Sequence, residues 1–447
     1  MLCRRLKYLS FVSLVFIISF TVKSFGQNRV VFSSIKEVWQ YADEHNISIS
    51  GSSSDVEASI NEKKKSFSLL MPKISLSGSY TDNIEISPTQ IPAEIFGGQK
   101  GTYTQVKLGQ KYNYAGSLNF NADIINTTSW LNIAGAELKK NFAQQSAAII
   151  KQQTYEQLTL AYYLTLLSQY TVEISAGNKN LADTLLFHTE QKYNQGLLDK
   201  YSVNVAAINA LKTNDNLLHN QQTYYENINN LKSLLNISVS DSLLLPEKFA
   251  TVIYKQNSDS ILFPDPKIRA SELQTLIAKN SLRQIKSTWL PMLSIVGSFG
   301  YNQNSNTFEL FGAGQEWNPQ QYWGLRLSFP IFTGGERWLN MQTSSVQYEQ
   351  AQRVENYTIT AAHIEDENIK TAYNISFKQM QSAKKAVKLA KENFDYMNNK
   401  YLEGIVGFEK QSDSFTDYLN SQTYYLNSLA DFCVALAKVY IRSQEIH

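Results

Sequence analysis

Titratable and nucleophilic residues are thinly and irregularly spread. The chain of 447 residues has five histidines, His45, His188, His219, His363 and His447, and no two stand at metal-ligand spacing. The patterns HExxH, GxSxG, GxGxxG and GxxxxGK(S/T) are absent, so no metalloprotease, serine hydrolase, dinucleotide or nucleotide site can be read from spacing. Cys3 and Cys433 are too few for a disulfide framework or a zinc cluster. Cys433 lies in the apolar run DFCVALAKVY and reads as a small buried hydrophobe. Glu365-Asp366-Glu367 and Lys384-Lys385-Lys388-Lys391 read as solvated helix faces. The expectation is therefore no enzyme, no cofactor and no metal. One polar motif does recur: YNQG at 193–196 and YLEG at 401–404.

Composition narrows the class further. With 43% hydrophobic, 12% aromatic and 18% charged residues, the chain has too much apolar mass to stay disordered. Its net charge is only +2, and Arg4, Arg5, Lys7 and Lys23 lie in an acid-free stretch over residues 1–26. Without those four cations the remainder stands at −2, so no basic surplus is left for nucleic acid. A basic start, an apolar stretch from Tyr8 to Val22 and small residues at Ser24–Gly26 read as a secretory signal over 1–26. No other window is apolar enough for a membrane-spanning helix.

The chain is written twice. LLMPKISLSGSY holds Pro72, Gly78 and Tyr80, and TWLPMLSIVGSFGY holds Pro291, Gly297 and Phe299 at the same offsets. Asn46-Ile47 and Asp265-Pro266 each precede those prolines by 26 residues. AGSLNFNADIINTTSWLN (115–132) echoes WGLRLSFPIFTGGERWLN (323–340), and YNQG echoes YLEG. Such order implies a duplicated half, with a first repeat over 27–236, a linker over 237–264 and a second repeat over 265–447.

Each half has one organisation. A helix (about 48–71, then 266–289) precedes the proline. Strand alternation follows, with Ile74, Leu76, Gly78 and Tyr80 opposite Ser75, Ser77 and Ser79, and Leu293, Ile295, Gly297 and Phe299 opposite Ser294 and Ser298. After a polar loop (87–111, then 303–320) comes a return strand: Leu118, Phe120, Ala122, Ile124, then Leu325, Leu327, Phe329, Ile331. Hairpins are thus expected at about 73–125 and 291–332. Proline-free runs of about 65 residues come next, roughly 100 Å of helix, long enough to imply coiled-coil packing. Shorter helices return over 200–236 and 408–445. Tyr80, Tyr112, Tyr114, Trp289, Trp317, Tyr322, Trp323 and Phe332 flank the strands as an aromatic belt would. Four strands cannot close a barrel, and an open edge is forbidden in lipid, so copies must join. A coiled-coil stalk or adhesin would explain the helices but not two amphipathic hairpins.

The order proline, strand, loop, strand, long helix, YxxG, helix, written twice, resembles the TolC-like outer-membrane efflux proteins over essentially the whole mature chain. SLLMPKISLSGSY, WGLRLSFPIFTGGERWLN and the paired YNQG and YLEG carry the resemblance. It implies an α+β membrane protein in the outer membrane. Three chains would form a twelve-stranded barrel, with the long helices making a coiled-coil tunnel through the periplasm. It also implies docking to an adaptor protein and an inner-membrane pump, with export of small molecules; a conduit for secreted protein is the alternative.

The resemblance also places residues. A ring of acids at positions six and nine after the second YxxG glycine falls here on Lys410 and Asp413, with Glu409 adjacent. Such carboxylates at a constriction would attract cations. The latch tyrosine falls on Tyr401, whose hydroxyl would hold the end closed. Its usual aspartate and arginine partners are replaced by Ser202 and Val406. Gly196 and Gly404 would make the helix–helix turns near which the adaptor docks.

Overall fold

The computed structural model describes residues 29–249, 263–308 and 316–444; the expected secretory signal lies outside them. In chain order the elements are β1 (Arg29–Val31), α1 (Ile35–His45), α2 (Ile47–Ser66), β2 (Lys73–Asp82), β3 (Thr89–Pro92), β4 (Tyr103–Val106) and β5 (Tyr112–Ile125). Then come α3 (Thr127–Asn194), α4 (Lys200–Leu234), β6 (Ser242–Leu244), α5 (Pro266–Ser287), β7 (Met292–Ser305), β8 (Asn318–Ser328), α6 (Glu336–Leu402) and α7 (Phe408–Arg442).

The helix lengths repeat: α3 and α6 have 68 and 67 residues, and α4 and α7 have 35 each. The repeated offset before each proline is a helix start. The Asn46 side chain accepts from the Ser48 and Ile49 amides, and that of Asp265 accepts from the Lys267 amide, so both act as N-caps. Each helix then stops shortly before Pro72 or Pro291, because a residue before proline resists the helical conformation.

The strands β2, β5, β7 and β8 form one antiparallel sheet in that order. The register sorts the side chains by chemistry. Ile74, Leu76, Gly78 and Tyr80 stand beside Phe120, Leu118, Gly116 and Tyr114. Those continue into Gly297, Phe299 and Tyr301 of β7 and, from Leu293, Ile295 and Gly297, into Leu327, Leu325 and Trp323 of β8. The other face carries Ser75, Asn119 and Ser298 in one row and Asp123, Ser294 and Arg326 in another. Hydrogen bonds cross that polar face: Ser298 Oγ to Asn119 Oδ1 at 3.0 Å, Ser294 Oγ to Asp123 Oδ1 at 2.8 Å, and a Ser77–Ser117 hydroxyl pair at 2.9 Å. The apolar face is the exposed one, with Leu76 at 82% and Trp323 at 78%. Among the described residues, β2 and β8 each leave one edge unpaired.

Three expectations need correction. The second hairpin ends at Ser328, not near residue 332, so Phe329 and Ile331 lie outside the strand. Pro330 has no amide hydrogen to continue the ladder. The loop expected over 87–111 contains a small hairpin, β3 against β4, around a 3-10 turn at Ala93–Phe96. Tyr322, placed in the aromatic belt, sits opposite Ser298 on the polar face.

The main core lies midway along the helices. Val38 and Trp39 of α1, Leu158, Tyr162 and Leu166 of α3, Leu231 of α4, and Phe432 and Leu436 of α7 are buried together. Trp39 stacks on Tyr155 at 4.8 Å and donates to Thr159 Oγ1 at 3.1 Å. Tyr155 donates to Asp43 at 2.7 Å, and Tyr162 to Glu247 at 2.6 Å. Burial first, and these carboxylates second, push both phenols above their ordinary value. Among the described residues no helix is long and apolar enough to cross a membrane.

Candidate functional site

Farthest from the sheet, the turns α3–α4 and α6–α7 lie side by side. Gly196 and Gly404 both adopt φ +74°, open to glycine but strained for other residues. Leu197 N donates to Lys192 O at 2.9 Å, and Ile405 N to Lys400 O at 2.8 Å. The two glycines thus close equivalent helix C-termini in the same way. The next helix starts on Asp199 in the first turn and on Gly407 in the second. An open cleft of about 730 Å³ lies between the turns, lined by Gly196, Asp199, Ser202, Phe408, Glu409 and Lys410.

Tyr401 is 3% exposed. Its ring meets Phe408 edge-on, and both pack with Ala206 in a small apolar cluster that Val406 and Leu198 flank. Its hydroxyl is buried beside Thr189 without a hydrogen-bond partner, and the Thr189 hydroxyl donates to Leu185 O at 2.7 Å. Burial raises the phenol's pKa. The polar grip on Tyr401 comes from elsewhere. Lys192 Nζ donates to Tyr401 O at 2.6 Å and lies 3.8 Å from the ring centroid. Burial lowers the Lys192 pKa. This clamp ties the end of α3 to the end of α6, across 209 residues of sequence.

The residues at the expected latch-partner positions are otherwise engaged. The amide and hydroxyl of Ser202 donate to Asp199 Oδ1 at 2.9 and 2.7 Å. Those two bonds, the hydroxyl's first, hold the Asp199 carboxyl below its usual range. Val406 joins the apolar cluster around Tyr401.

Glu409, Lys410 and Asp413 are all exposed in the first turns of α7. Glu409 lies in the first turn, where the helix dipole favours an anion. Asp417 is also exposed, so Glu409, Asp413 and Asp417 follow one another at four-residue intervals along one helix face. Among the described residues none of the three forms an ion pair within 4.0 Å. Sequence reading missed Asp417 and Lys192. The four-residue interval was available for the first; the second has only its place in the repeated KYxxG as a signal.

No family model matches the sequence. The outer membrane protein TolC of Vibrio cholerae is 21% identical over 412 residues, covering 89% of each chain. The solved structure of CusC superposes with a TM-score of 0.75 at 14% identity, covering 93% of each chain. The outer membrane protein VceC of Vibrio cholerae gives a TM-score of 0.71 at 17% identity, over 92% of this chain and 97% of that one. The chain therefore has the fold of the TolC-like outer-membrane channels.

Proposed function

We propose that this chain is one third of an outer-membrane duct, a passive conduit through which an adaptor and an inner-membrane pump export small molecules. The observation that carries this reading is the four-stranded sheet. Its apolar face is exposed, its other face is polar, and two edges are open. Lipid would accept the apolar face but not the edges, which three copies would close into a barrel of twelve strands. Below it, α3 and α6 give about 100 Å of helix at about 1.5 Å per residue, enough for a periplasmic tunnel. The conduit does no chemistry of its own, which agrees with the lack of a catalytic constellation in the sequence.

In this reading the two turns are the periplasmic aperture. Gly196 and Gly404 shape the tips that the adaptor meets, Asp413, Glu409 and Asp417 attract cations, and the Lys192–Tyr401 clamp holds the α3–α4 and α6–α7 pairs together. Lys410 offsets part of the acidic field. The test is conductance of the purified protein in planar bilayers. Ion-conducting trimers are expected, and Asp413→Ala should lower their cation selectivity. A folded trimer that passes no current at any voltage would overturn the channel, and unchanged selectivity would remove Asp413 from the aperture. Deleting the chain should sensitise cells to small toxic compounds and leave the secreted proteins unchanged. The reverse pattern would assign it to protein secretion.

A further inference from the structure

The polar face of the four-stranded sheet carries charge at one level only. Its residues alternate with the apolar ones along β2, β5, β7 and β8, and the charged ones are Lys73, Asp123 and Arg326. Every other residue on that face of the four strands is uncharged, and most are serine, asparagine or glutamine. The three charges sit together at the helix end of the sheet. Lys73 opens β2, while Asp123 and Arg326 each lie two residues before the end of their strands, Ile125 and Ser328. Asp123 and Arg326 flank Ser294 in one row. Lys73 stands beside Asn121, the next polar-face position along β5 from Asp123.

The carboxylate is engaged and the cations are not. Asp123 Oδ1 accepts from Ser294 Oγ at 2.8 Å, and its Oδ2 accepts from Asn126 Nδ2 at 2.8 Å. Lys73 and Arg326 are exposed and, among the described residues, form no ion pair within 4.0 Å. They also occupy the two unpaired edges, β2 and β8. Closing the barrel therefore sets Arg326 of one copy and Lys73 of the next on adjoining strands about 4.8 Å apart, both facing the lumen. Like charges on neighbouring strands repel, and an anion between them relieves the repulsion.

The lumen is narrow enough for these charges to govern what passes. Twelve strands about 4.8 Å apart and tilted about 40° put the wall roughly 12 Å from the axis. Lysine and arginine reach inward from that wall, so their charges come within about 8 Å of the axis, one Debye length at physiological salt. Two free cations against one engaged carboxylate in each copy leave the ring net positive. The acids Glu409, Asp413 and Asp417 lie at the far end of the long helices, about 100 Å away at about 1.5 Å per residue, where their field is screened. We infer that the base of the barrel is an anion-binding belt, in which Arg326 and the next copy's Lys73 take up a carboxylate or phosphate group of the solute in transit. The inference rests on the duct reading and names the class of small molecule that the duct passes.

Block of the single-channel current tests it, on the full chain in planar bilayers with citrate added on the barrel side. The wild-type current should fall as citrate is added. Arg326→Gln and Lys73→Gln should each need about fivefold more citrate for the same block, the effect of one exposed charge at contact distance. Lys73→Gln reads the same site from the other strand should Arg326→Gln disturb assembly. Arg326→Lys keeps the charge and should be blocked like the wild type. In about 1 M KCl, where the Debye length shrinks to about 3 Å, the block should fade. An unchanged citrate requirement in the glutamine variants overturns the inference. So do a loss with Arg326→Lys equal to that with Arg326→Gln, and a block indifferent to salt. The two readings fail differently. A conducting trimer that citrate leaves open removes the belt and keeps the duct, whereas a folded trimer without current removes both.

Discussion

Lys192 brings together a charge, a carbonyl and an aromatic face at the point where two helix pairs meet. Its ammonium donates to Tyr401 O, and the same nitrogen lies over the Tyr401 ring. The Tyr401 hydroxyl, by contrast, is buried without a hydrogen bond. The expected grip through the phenol is thus replaced by one through the backbone and the π-face. Two outcomes follow for single-channel recordings. Lys192→Ala removes a charged hydrogen bond at a part-buried site; losing about 1 kcal/mol of closure raises the open fraction roughly fivefold. Tyr401→Phe keeps both the carbonyl and the ring, so it leaves the closed-state current unchanged. A rise with Phe equal to that with Lys192→Ala would return the role to the hydroxyl. The pH dependence has a definite sign. Burial lowers the Lys192 pKa in the closed end, whereas an opened, solvated lysine titrates near its ordinary 10.5. Opening therefore takes up a proton between those two values, and closure is favoured as pH rises through that window. Below it the lysine is charged in both states and contributes no slope. The Tyr401 phenol, raised by burial, gives a slope of opposite sign, so the lysine's share is read by difference: across the alkaline range the open fraction of Lys192→Ala should climb relative to that of the wild type.

The two glycines inside α3 show how an element can need the same residue for different reasons. A Cβ on Gly135 would meet Asn280 Nδ2 at 2.6 Å and Gln284 Nε2 at 3.1 Å. Both of those amides donate to Leu131 O, at 3.0 and 3.1 Å, so the notch lets α5 lie close against α3. A Cβ on Gly177 meets nothing within 4 Å. Gly135→Ala should therefore cost about 1–3 kcal/mol through overpacking, and Gly177→Ala should gain about 0.5–1 kcal/mol through helix propensity. The temperature at which the helical circular dichroism is lost should fall for the first and rise for the second. Equal shifts would mean that the notch does not hold the two helices together. The sequence places just these two glycines within α3, but it cannot rank them, because Asn280 lies 145 residues from Gly135. The same boundary recurs elsewhere. The repeated offsets of Asn46 and Asp265, the alternation of β2 and β7, and the YxxG turns are local and were readable. Helix α1 did carry a helical signal, with Ile35, Val38, Trp39 and Ala42 at spacings of three, one and three, but it is short and went unread; the β3–β4 hairpin lies in a polar, proline-containing loop and gave no periodic signal. The alternation Phe329, Ile331 overran the end of β8, since side-chain spacing continues past a proline where hydrogen bonding does not. The Lys192–Tyr401 contact was out of reach for the reason that Asn280 was: only folding brings its ends together.

At the scale of the whole molecule, the sheet is inside out relative to a soluble domain. Its apolar residues are exposed and its serines and asparagines make the cross-strand contacts, an arrangement that water disfavours on the first face and hydrocarbon would disfavour on the second. Lipid outside and water inside resolve both, provided that other copies cover the edges at β2 and β8. Neighbouring residues of one interior strand separate this explanation from a protein partner on the apolar face. Leu118 lies midway along β5 on the apolar face, beside Leu76 and Phe299. Asn121 lies three residues on, facing the other side, beside Lys73 and Val296. A lysine toward the middle of the bilayer costs about 2–4 kcal/mol, and one facing an aqueous lumen costs little. Leu118→Lys should therefore reduce the heat-modifiable, detergent-extracted assembly, while Asn121→Lys should assemble like the wild type and shift ion selectivity toward anions. If Leu118→Lys assembled normally and Asn121→Lys did not, the apolar face would point away from lipid, and the duct would have to be built with the sheet turned the other way.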